Sequence, residues 1–248
     1  MPRQEFFYAP PENFVGEFVE LTGDEHHHLT RVLHHKIGDR VTVVDGAGNA
    51  AVDGEIILSD RAVTRIKTHT ITKNIGEPAV HLTLAQAVPK GARFDWVVEK
   101  ATEIGVSAFI PLLSEHSEVQ PSEVQPSSGK TERWRRLSLA AMKQSCRSVW
   151  PDVNEPTPFF ELCQTIKNFD LAILAHPTEN DILKDLAGQA MPRKAFLMVG
   201  PEGGFTEEEI EFAQKSGCKL LSLGPRRLRS ETAGLVAATK VLAAFGQL

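Results

Sequence analysis

The sequence predicts an α/β protein in two parts: a small β-rich domain at residues 1–72, a linker at 73–79, and a larger α/β domain at 80–248. Segments rich in Val and Ile, separated by turn residues, dominate the first part. In the second part, apolar segments with strand and helix periods alternate. A chain of 248 residues with 42% hydrophobic residues can build a core for each part.

Composition excludes several classes of protein. The formal net charge of −5 leaves no overall basic character, so RNA binding would have to come from local patches. No segment approaches the roughly 18 apolar residues of a membrane span, and the first residues lack the apolar segment of a secretory signal. The three cysteines are far apart, which favours a reducing compartment, the cytoplasm, over a disulfide framework.

In the first part, the turn residues 45–49 join two expected strands into a hairpin. A helix is expected between Thr22 and Ile37, with Thr22 and Glu25 as its capping box. The expected strands are 40–44, 50–58 and 62–72. Several strands and one helix in this length indicate a small barrel.

The second part alternates strand and helix throughout, which predicts a mostly parallel sheet covered by helices on both faces. The final helix is apolar nearly all round, so it should be buried, and a subunit interface is one way to bury it. The expected strands are 80–88, 108–113, 171–175, 195–199 and 220–223, and the expected helices are 91–105, 131–147, 181–187, 206–216 and 231–245.

Ligands of open parallel sheets bind beyond the carboxyl ends of the strands. Three such ends are unusual here, at 174–177, 198–205 and 223–233. Glycines in the second segment allow backbone to approach a ligand closely, although a tight turn alone would also use them. The segment lacks both the Gly-Lys-Ser/Thr ending of a P-loop and the GxGxxG spacing.

The helix after this glycine-rich segment is expected to begin with a capping box of Thr206 and Glu209. Glu207 and Glu208 add negative charge to the same turn, so the helix start should bind phosphate poorly. Glu202 has the same effect. A cofactor bound here should therefore be free of phosphate, and a cationic one would fit.

Three arginines follow the third strand end, at 226, 227 and 229. Guanidinium groups suit phosphates and planar base edges, so anion or RNA recognition is favoured over a solvated turn. A second basic stripe on the 131–147 helix, formed by Arg136, Lys143 and Arg147, is interpreted as a solvated face.

Five histidines at 26–28 and 34–35 do not predict a metal site, because the first three point in different directions on a helix. A polar helix face, which could contact RNA, is the preferred interpretation. No G-x-S-x-G motif supports a serine hydrolase.

The elements Gly-Pro-Glu-Gly-Gly-Phe at 200–205, Leu-Gly-Pro-Arg at 223–226 and Leu-Arg-Ser-Glu-Thr-Ala at 228–233 resemble those of the RsmE family. This is a SPOUT-class methyltransferase family that modifies N3 of one uridine in 16S ribosomal RNA. Weaker upstream elements, such as Lys-Ala-Thr-Glu-Ile-Gly-Val at 100–106, extend the resemblance over nearly the whole chain.

The resemblance implies a PUA-like, RNA-binding N-terminal β-barrel and a SPOUT methyltransferase domain with a deep trefoil knot near its C-terminus. It also implies S-adenosylmethionine as cofactor, 16S rRNA of the small ribosomal subunit as substrate, and a homodimer formed through the knotted domain. This cofactor is cationic and carries no phosphate, in agreement with the ligand expected from the residues.

The proposed reaction is in-line methyl transfer to uracil N3. Arg229 would steer the uracil or stabilise its developing anion, and Glu231 would either orient Arg229 or act as base. The expected cofactor-binding residues are Leu174, His176, Val199, Gly200, Glu202, Gly203, Gly204, Leu223, Gly224, Leu228, Ser230, Thr232 and Ala233. The expected RNA-binding residues are His28, Arg31, His34, Lys36, Arg136, Arg226 and Arg227.

The chain departs from the family pattern at three positions. His34 and His116 stand where arginine is usual, and Arg227 stands where an aliphatic residue is usual. A neutral histidine lacks the permanent charge of arginine, and Arg227 could supply charge instead.

Two other classes remain open: a non-catalytic RNA-binding assembly factor, and an enzyme that uses a nucleotide cofactor on a doubly wound sheet. The intact glycines and the complete 228–233 element argue against the first, and the missing phosphate loop argues against the second.

Overall fold

The computed structural model describes residues 5–119, 129–178, 182–186 and 188–248. The chain forms two compact units, the first of Met1–Glu77 with Leu139–Trp150 and the second of Pro78–Ser138 with Pro151–Leu248. The division after Glu77 falls inside the segment 73–79 that was predicted as the linker.

The first unit is built on a seven-stranded sheet, in which β1 pairs in parallel with β4 and the other pairings are antiparallel. The strand order is β1-β4-β5-β6-β3-β2, with β7 paired to β5. The strands are β1 Phe6–Tyr8, β2 Phe14–Val15, β3 Phe18–Thr22, β4 Arg40–Val44, β5 Asn49–Ser59, β6 Val63–Lys67 and β7 Thr70–Lys73. A short helix, α1 at Gly23–His27, continues as a π-helical turn at His28–Val32.

The second unit contains a parallel sheet in the order β10-β9-β8-β13-β12-β14, with β11 paired to β9. The strands are β8 His81–Ala87, β9 Ala108–Leu113, β10 Asp152–Val153, β11 Thr157–Pro158, β12 Leu171–Ala175, β13 Lys194–Val199 and β14 Lys219–Leu221. The helices are α2 Arg93–Ile104, α3 Lys130–Gln144, α4 Phe159–Cys163, α5 Leu183–Leu186, α6 Glu207–Lys215 and α7 Ser230–Ala244.

The predicted parallel sheet with helices on both faces is confirmed. One face packs with α2 and α7 in a core that includes Leu84 and Leu197, and the other packs with α4 and α6 in a core that includes Leu174 and Met198. The short elements β10, β11 and α4 were not predicted, since two to five residues carry too little periodicity. Asp181 and Ala187, the ends of the predicted 181–187 helix, lie outside the described residues. The trefoil knot stays a prediction.

The predicted helix over 22–37 is wrong in length and in its cap. The helical backbone ends at Val32, before Gly38, and Thr22 makes no side-chain capping hydrogen bond. The carboxylate of Glu25 instead accepts a hydrogen bond from the Tyr8 backbone N–H at 3.1 Å and pairs with Lys143. The Glu25 carboxylate, which the capping pattern assigned to the helix start, therefore makes tertiary contacts with Tyr8 and Lys143 instead.

The segment 139–150 belongs to the first unit, whereas the prediction placed it in the α/β domain. Leu139 and Met142 pack in one apolar cluster with Phe6, Val44 and Ala50 of the sheet. The pattern of apolar residues on a helix does not show which of two cores they enter, so the sequence could not assign 139–150 to the first unit.

The interpretation of Arg136, Lys143 and Arg147 as one solvated stripe is also wrong. Arg136 is exposed, but Arg147 follows the end of α3 and is only 2% exposed. Its guanidinium donates to Glu77 Oε2 from Nε at 3.1 Å and from Nη2 at 2.6 Å. The other carboxylate oxygen of Glu77 accepts from the backbone N–H groups of Ser148 and Val149, both at 2.9 Å.

We expect Glu77→Ala to lower the free energy of unfolding by about 3–5 kcal/mol, because it leaves the buried charge of Arg147 without its carboxylate. Urea unfolding measures the change. The matched control is Glu20→Ala, which breaks an exposed ion pair with Arg65 at 2.6 Å and should cost only about 0.2–1 kcal/mol. Equal losses in the two variants would contradict this role for Glu77.

Candidate functional site

The three predicted strand ends meet because β12 pairs with both β13 and β14. A cavity of about 410 Å³ opens there, within the size range of small-molecule sites. All of the predicted cofactor-binding residues line this pocket except Leu174, which is buried in the core, and Thr232 on α7. Four neighbours on the same turns also line it without having been predicted, namely Ala175, Pro177, Pro201 and Phe205.

The turn after β13 is tightly packed at two glycines and has a backbone conformation that favours glycine at a third. A Cβ on Gly200 would lie 3.1 Å from the ring of Phe205, and one on Gly203 would lie 3.2 Å from Cβ of His116. Gly204 has φ +76°, and its N–H donates to the carbonyl of Pro201 at 2.9 Å. The glycines therefore form a tight turn and also leave its backbone open to the pocket.

The predicted capping box at the start of α6 is confirmed. The backbone N–H of Glu209 donates to Thr206 Oγ1 at 3.1 Å, and the Thr206 N–H donates to Glu209 Oε2 at 2.9 Å. The other carboxylate oxygen of Glu209 accepts from the N–H of Glu115 at 3.0 Å. With its donors capped and three acidic residues in its first turn, this helix start does not suit a phosphate group.

A buried polar chain fixes the start of α7 to the turn after β13. Gln86, a fully buried residue of β8, donates from Nε2 to Ser230 Oγ at 2.6 Å, and Ser230 Oγ donates to the carbonyl of Gly200 at 3.1 Å. Gly234, one helical turn later, leaves room for Gln86, since a Cβ there would overlap Gln86 Oε1.

Two carboxylates beside the pocket share one guanidinium. Arg93 Nη1 lies 2.5 Å from Glu202 Oε1 and 3.7 Å from Glu231 Oε2. The remaining oxygen of Glu202, Oε2, is buried, and it has no hydrogen-bond partner among the described residues. Arg93 was not predicted as a site residue, because it follows β8, a fourth strand end that carries no glycine or arginine cluster.

Arg229, the predicted catalytic arginine, is exposed at the N-cap position of α7. Glu231 pairs with Arg93, and in the described part of the chain no hydrogen bond or ion pair joins it to Arg229. Arg226 and Arg227 line the pocket, and Arg227 Nη2 donates to the carbonyl of Glu202 at 3.0 Å.

Two histidines belong to the same region. His116 Nδ1 lies 3.2 Å from the carbonyl oxygen of Gly204. His176 lines the pocket, and burial lowers its pKa below the ordinary value, which keeps the ring neutral at pH 7.

The other predicted RNA-binding residues are exposed: His28, Arg31, His34 and Lys36 in the first unit, and Arg136 in the second. His28 Nε2 lies 3.7 Å from a carboxylate oxygen of Glu5. Across residues 5–119, 129–178, 182–186 and 188–248, no three His, Cys, Asp or Glu side chains are grouped to hold a metal ion. In the same ranges, no helix is long and apolar enough to cross a bilayer.

Two protein-family models match the chain, an RNA methyltransferase domain over residues 76–242 and an RNA methyltransferase PUA domain over 21–52. Ribosomal RNA small subunit methyltransferase E of Buchnera aphidicola subsp. Acyrthosiphon pisum is 31% identical, over 96% of this chain and 93% of that protein. The protein of the same name from Synechocystis sp. is 34% identical, over 93% of this chain and 75% of its own.

Among solved structures, ribosomal RNA small subunit methyltransferase E from Neisseria gonorrhoeae, bound to S-adenosyl methionine, superposes with a TM-score of 0.82. It is 27% identical, and the match covers 97% of each chain.

We expect Gly234→Ala to destabilise the protein by about 1–3 kcal/mol, because the added methyl group would overlap the buried Gln86 carboxamide. Helix propensity alone predicts the opposite, a gain of about 1 kcal/mol. The sign of the change in the free energy of unfolding, measured with urea, shows which effect dominates. Thr239→Ala, at an exposed position of the same helix, is the control and should gain about 0.5 kcal/mol, since alanine has the higher helix propensity. Stabilisation by Gly234→Ala would contradict the close packing against Gln86.

Proposed function

The chain belongs to the ribosomal RNA small subunit methyltransferase E family, and we propose that it transfers the methyl group of S-adenosylmethionine to N3 of one uridine in 16S rRNA. The observation that carries this proposal is the pocket at the ends of β12, β13 and β14, which combines the glycine turn at 200–204, the carboxylate of Glu202 and a rim that contains Arg226 and Arg227.

The residues of the pocket fit this cofactor. Val199, Leu223, Leu228 and Ala233 offer an apolar surface for the adenine, and Glu202 offers a carboxylate oxygen that has no hydrogen-bond partner among the described residues. The capped start of α6 disfavours phosphate, which argues against NAD and ATP. When bound, S-adenosylmethionine supplies a methyl group activated by a cationic sulfur.

The protein's tasks are then to position the uracil and to control charge. Arg229 is exposed at the start of α7, so its guanidinium can donate hydrogen bonds to the uracil carbonyl oxygens and stabilise negative charge as the N3 proton leaves. The side chain of Glu231 is 12% exposed, and its carboxylate is our candidate to accept that proton. The uridine would leave its stack to reach the pocket.

The remaining contacts with RNA come from local basic patches, as a chain of net charge −5 requires. We assign phosphate contacts to Arg226 and Arg227 at the pocket rim, to Arg136, and in the first unit to His28, Arg31, His34 and Lys36. The match of residues 21–52 to a PUA domain of RNA methyltransferases supports RNA binding by the first unit.

The proposal includes the small ribosomal subunit as the cytoplasmic substrate and a homodimer formed through a knotted second unit. The half-exposed apolar residues Leu235 and Val236 on α7 are candidates for the dimer contact. A non-catalytic RNA-binding factor would bind RNA without consuming the cofactor, so turnover distinguishes the two functions.

The test is methyl transfer to small ribosomal subunits and to free 16S rRNA, with the modified nucleoside identified by mass spectrometry. We expect Arg229→Ala to lower kcat by at least about 100-fold with unchanged unfolding, since it removes charge stabilisation in the reaction. Arg193→Ala, an exposed arginine just before β13 at the opposite end of the sheet, is the control and should stay active. RNA binding without turnover by the unmodified chain would favour the assembly factor.

We expect cofactor binding to weaken as the pH falls below the ordinary histidine pKa of about 6.5. Burial lowers the pKa of His176, so the ring is neutral at pH 7 and gains its charge only in acid, where it would repel a cationic ligand. The unfolded chain takes up this proton at higher pH, so acidification also lowers stability. Calorimetric titration across this range checks the effect.

His176→Asn should bind the cofactor with a flatter pH dependence than the unmodified protein. His81→Asn, an exposed histidine at the first residue of β8, should keep the original dependence. If both variants keep it, the ionisation of His176 does not govern binding.

A further inference from the structure

Arg93 has no part in the proposed reaction, yet its guanidinium lies between two carboxylates that do. Its Nη1 atom is 2.5 Å from Glu202 Oε1 and 3.7 Å from Glu231 Oε2. Glu202 belongs to the turn after β13 and Glu231 to the first turn of α7, so one side chain joins the two segments that frame the pocket.

Arg93 is itself held in place by its own loop. Its Nε donates to the carbonyl of Lys90 at 3.1 Å, which leaves Nη1 for the carboxylates. The side chain is 37% exposed, whereas those of Glu202 and Glu231 are 26% and 12% exposed. The cation therefore lies on the outer side of a partly buried acidic pair.

A second link joins the same two segments from inside. Ser230, the residue before Glu231, donates to the carbonyl of Gly200, two residues before Glu202, and is in turn held by Gln86. Two independent links therefore act on adjacent residues of α7. The inner link fixes the backbone, while only the outer one acts on the carboxylates.

The two carboxylates also need a cation for electrostatic reasons. One oxygen of each, Glu202 Oε2 and Glu231 Oε2, is buried, and neither has a hydrogen-bond partner among the described residues. Without Arg93, the two partly buried carboxylates would lose the cation that both contact, and repulsion between like charges would favour their separation. With Arg93, the group keeps a net charge of −1, which suits a cationic ligand.

We propose that Arg93 is a positioning residue, which holds the Glu202 and Glu231 carboxylates in one arrangement for cofactor binding and for proton removal. This inference rests on the proposed function, in which those two carboxylates contact the cofactor and the uracil. Arg93 acts through them and contacts neither reactant itself.

The experiment measures S-adenosylmethionine affinity by calorimetry and kcat on small ribosomal subunits for Arg93→Gln and Arg93→Lys. We expect Arg93→Gln to weaken cofactor binding about 10-fold and to lower kcat about 100-fold, because a small misplacement of reacting groups has an effect of this size. Arg93→Lys keeps a cation within reach of both carboxylates and should recover most of both losses.

The matched control is Arg133→Gln. Arg133 Nη2 lies 2.5 Å from Asp95 Oδ2, so this change also removes one arginine from an ion pair with α2, but it removes no contact with Glu202 or Glu231. Its affinity and kcat should equal those of the unmodified protein. If Arg133→Gln lowers cofactor affinity and kcat as much as Arg93→Gln does, the loss of any arginine ion pair that involves α2 has this effect, and the inference is wrong.

A double-mutant cycle tests whether Arg93 acts through Glu231. If it does, Arg93→Gln should lower kcat far less in a Glu231→Gln background than in the unmodified protein, since the group that it positions is gone. Equal losses in both backgrounds would overturn the inference, as would full activity of Arg93→Gln.

The outcomes also separate this inference from the proposed function. If the unmodified chain transfers no methyl group, the proposed function fails, and the calorimetric comparison alone then tests Arg93: equal cofactor affinities in Arg93→Gln and the unmodified protein overturn its role. If the unmodified chain methylates RNA and Arg93→Gln does so equally well, only the inference fails.

Discussion

The pairing of β12 with both β13 and β14 is the constraint on which the whole site depends. Parallel strands end at the same edge of a sheet, so the segments 175–177, 199–205 and 223–233 reach one place. In the turn after β13, Gly200 and Gly203 allow Phe205 and His116 to approach closely, and at the start of α7 the buried side chain of Gln86 donates to Ser230. A change of register in this part of the sheet would separate all of these groups at once.

Acidic and basic side chains are separated around the pocket, so it can bind a cationic cofactor and an anionic RNA at different places. Glu202 lines the pocket, where a cationic cofactor would bind, and three more glutamates lie in the first turn of α6. Arginines 226 and 227 lie exposed at the rim, where a polyanion would approach. The formal charge of −5 hides this separation, which is why composition alone argues neither for nor against RNA.

The sequence predicted the parallel sheet and most of the pocket residues because their signals are local. Strand periodicity, the glycines at 200–204 and the capping residues Thr206 and Glu209 act within a few positions of one another. It failed where the partner is distant in sequence. Glu25 contacts Tyr8 and Lys143, Arg147 pairs with Glu77, and Arg93 pairs with Glu202. Hydrophobic periodicity carries no information about such pairs. The trefoil knot stays a prediction that only the family resemblance implies, because no local pattern in the sequence indicates a knot.

The composition of the first unit, Met1–Glu77 with Leu139–Trp150, has a consequence for synthesis on the ribosome. Met142 completes an apolar cluster with Phe6 and Val44, and Arg147 completes the buried ion pair with Glu77. Neither contact can form before the segment up to Arg147 has been synthesised, so part of the first unit's core depends on residues translated well after its sheet. A nascent chain that has emerged only as far as the predicted linker lacks part of its own core. Such contacts of high sequence separation slow folding and extend the time during which apolar strands are exposed.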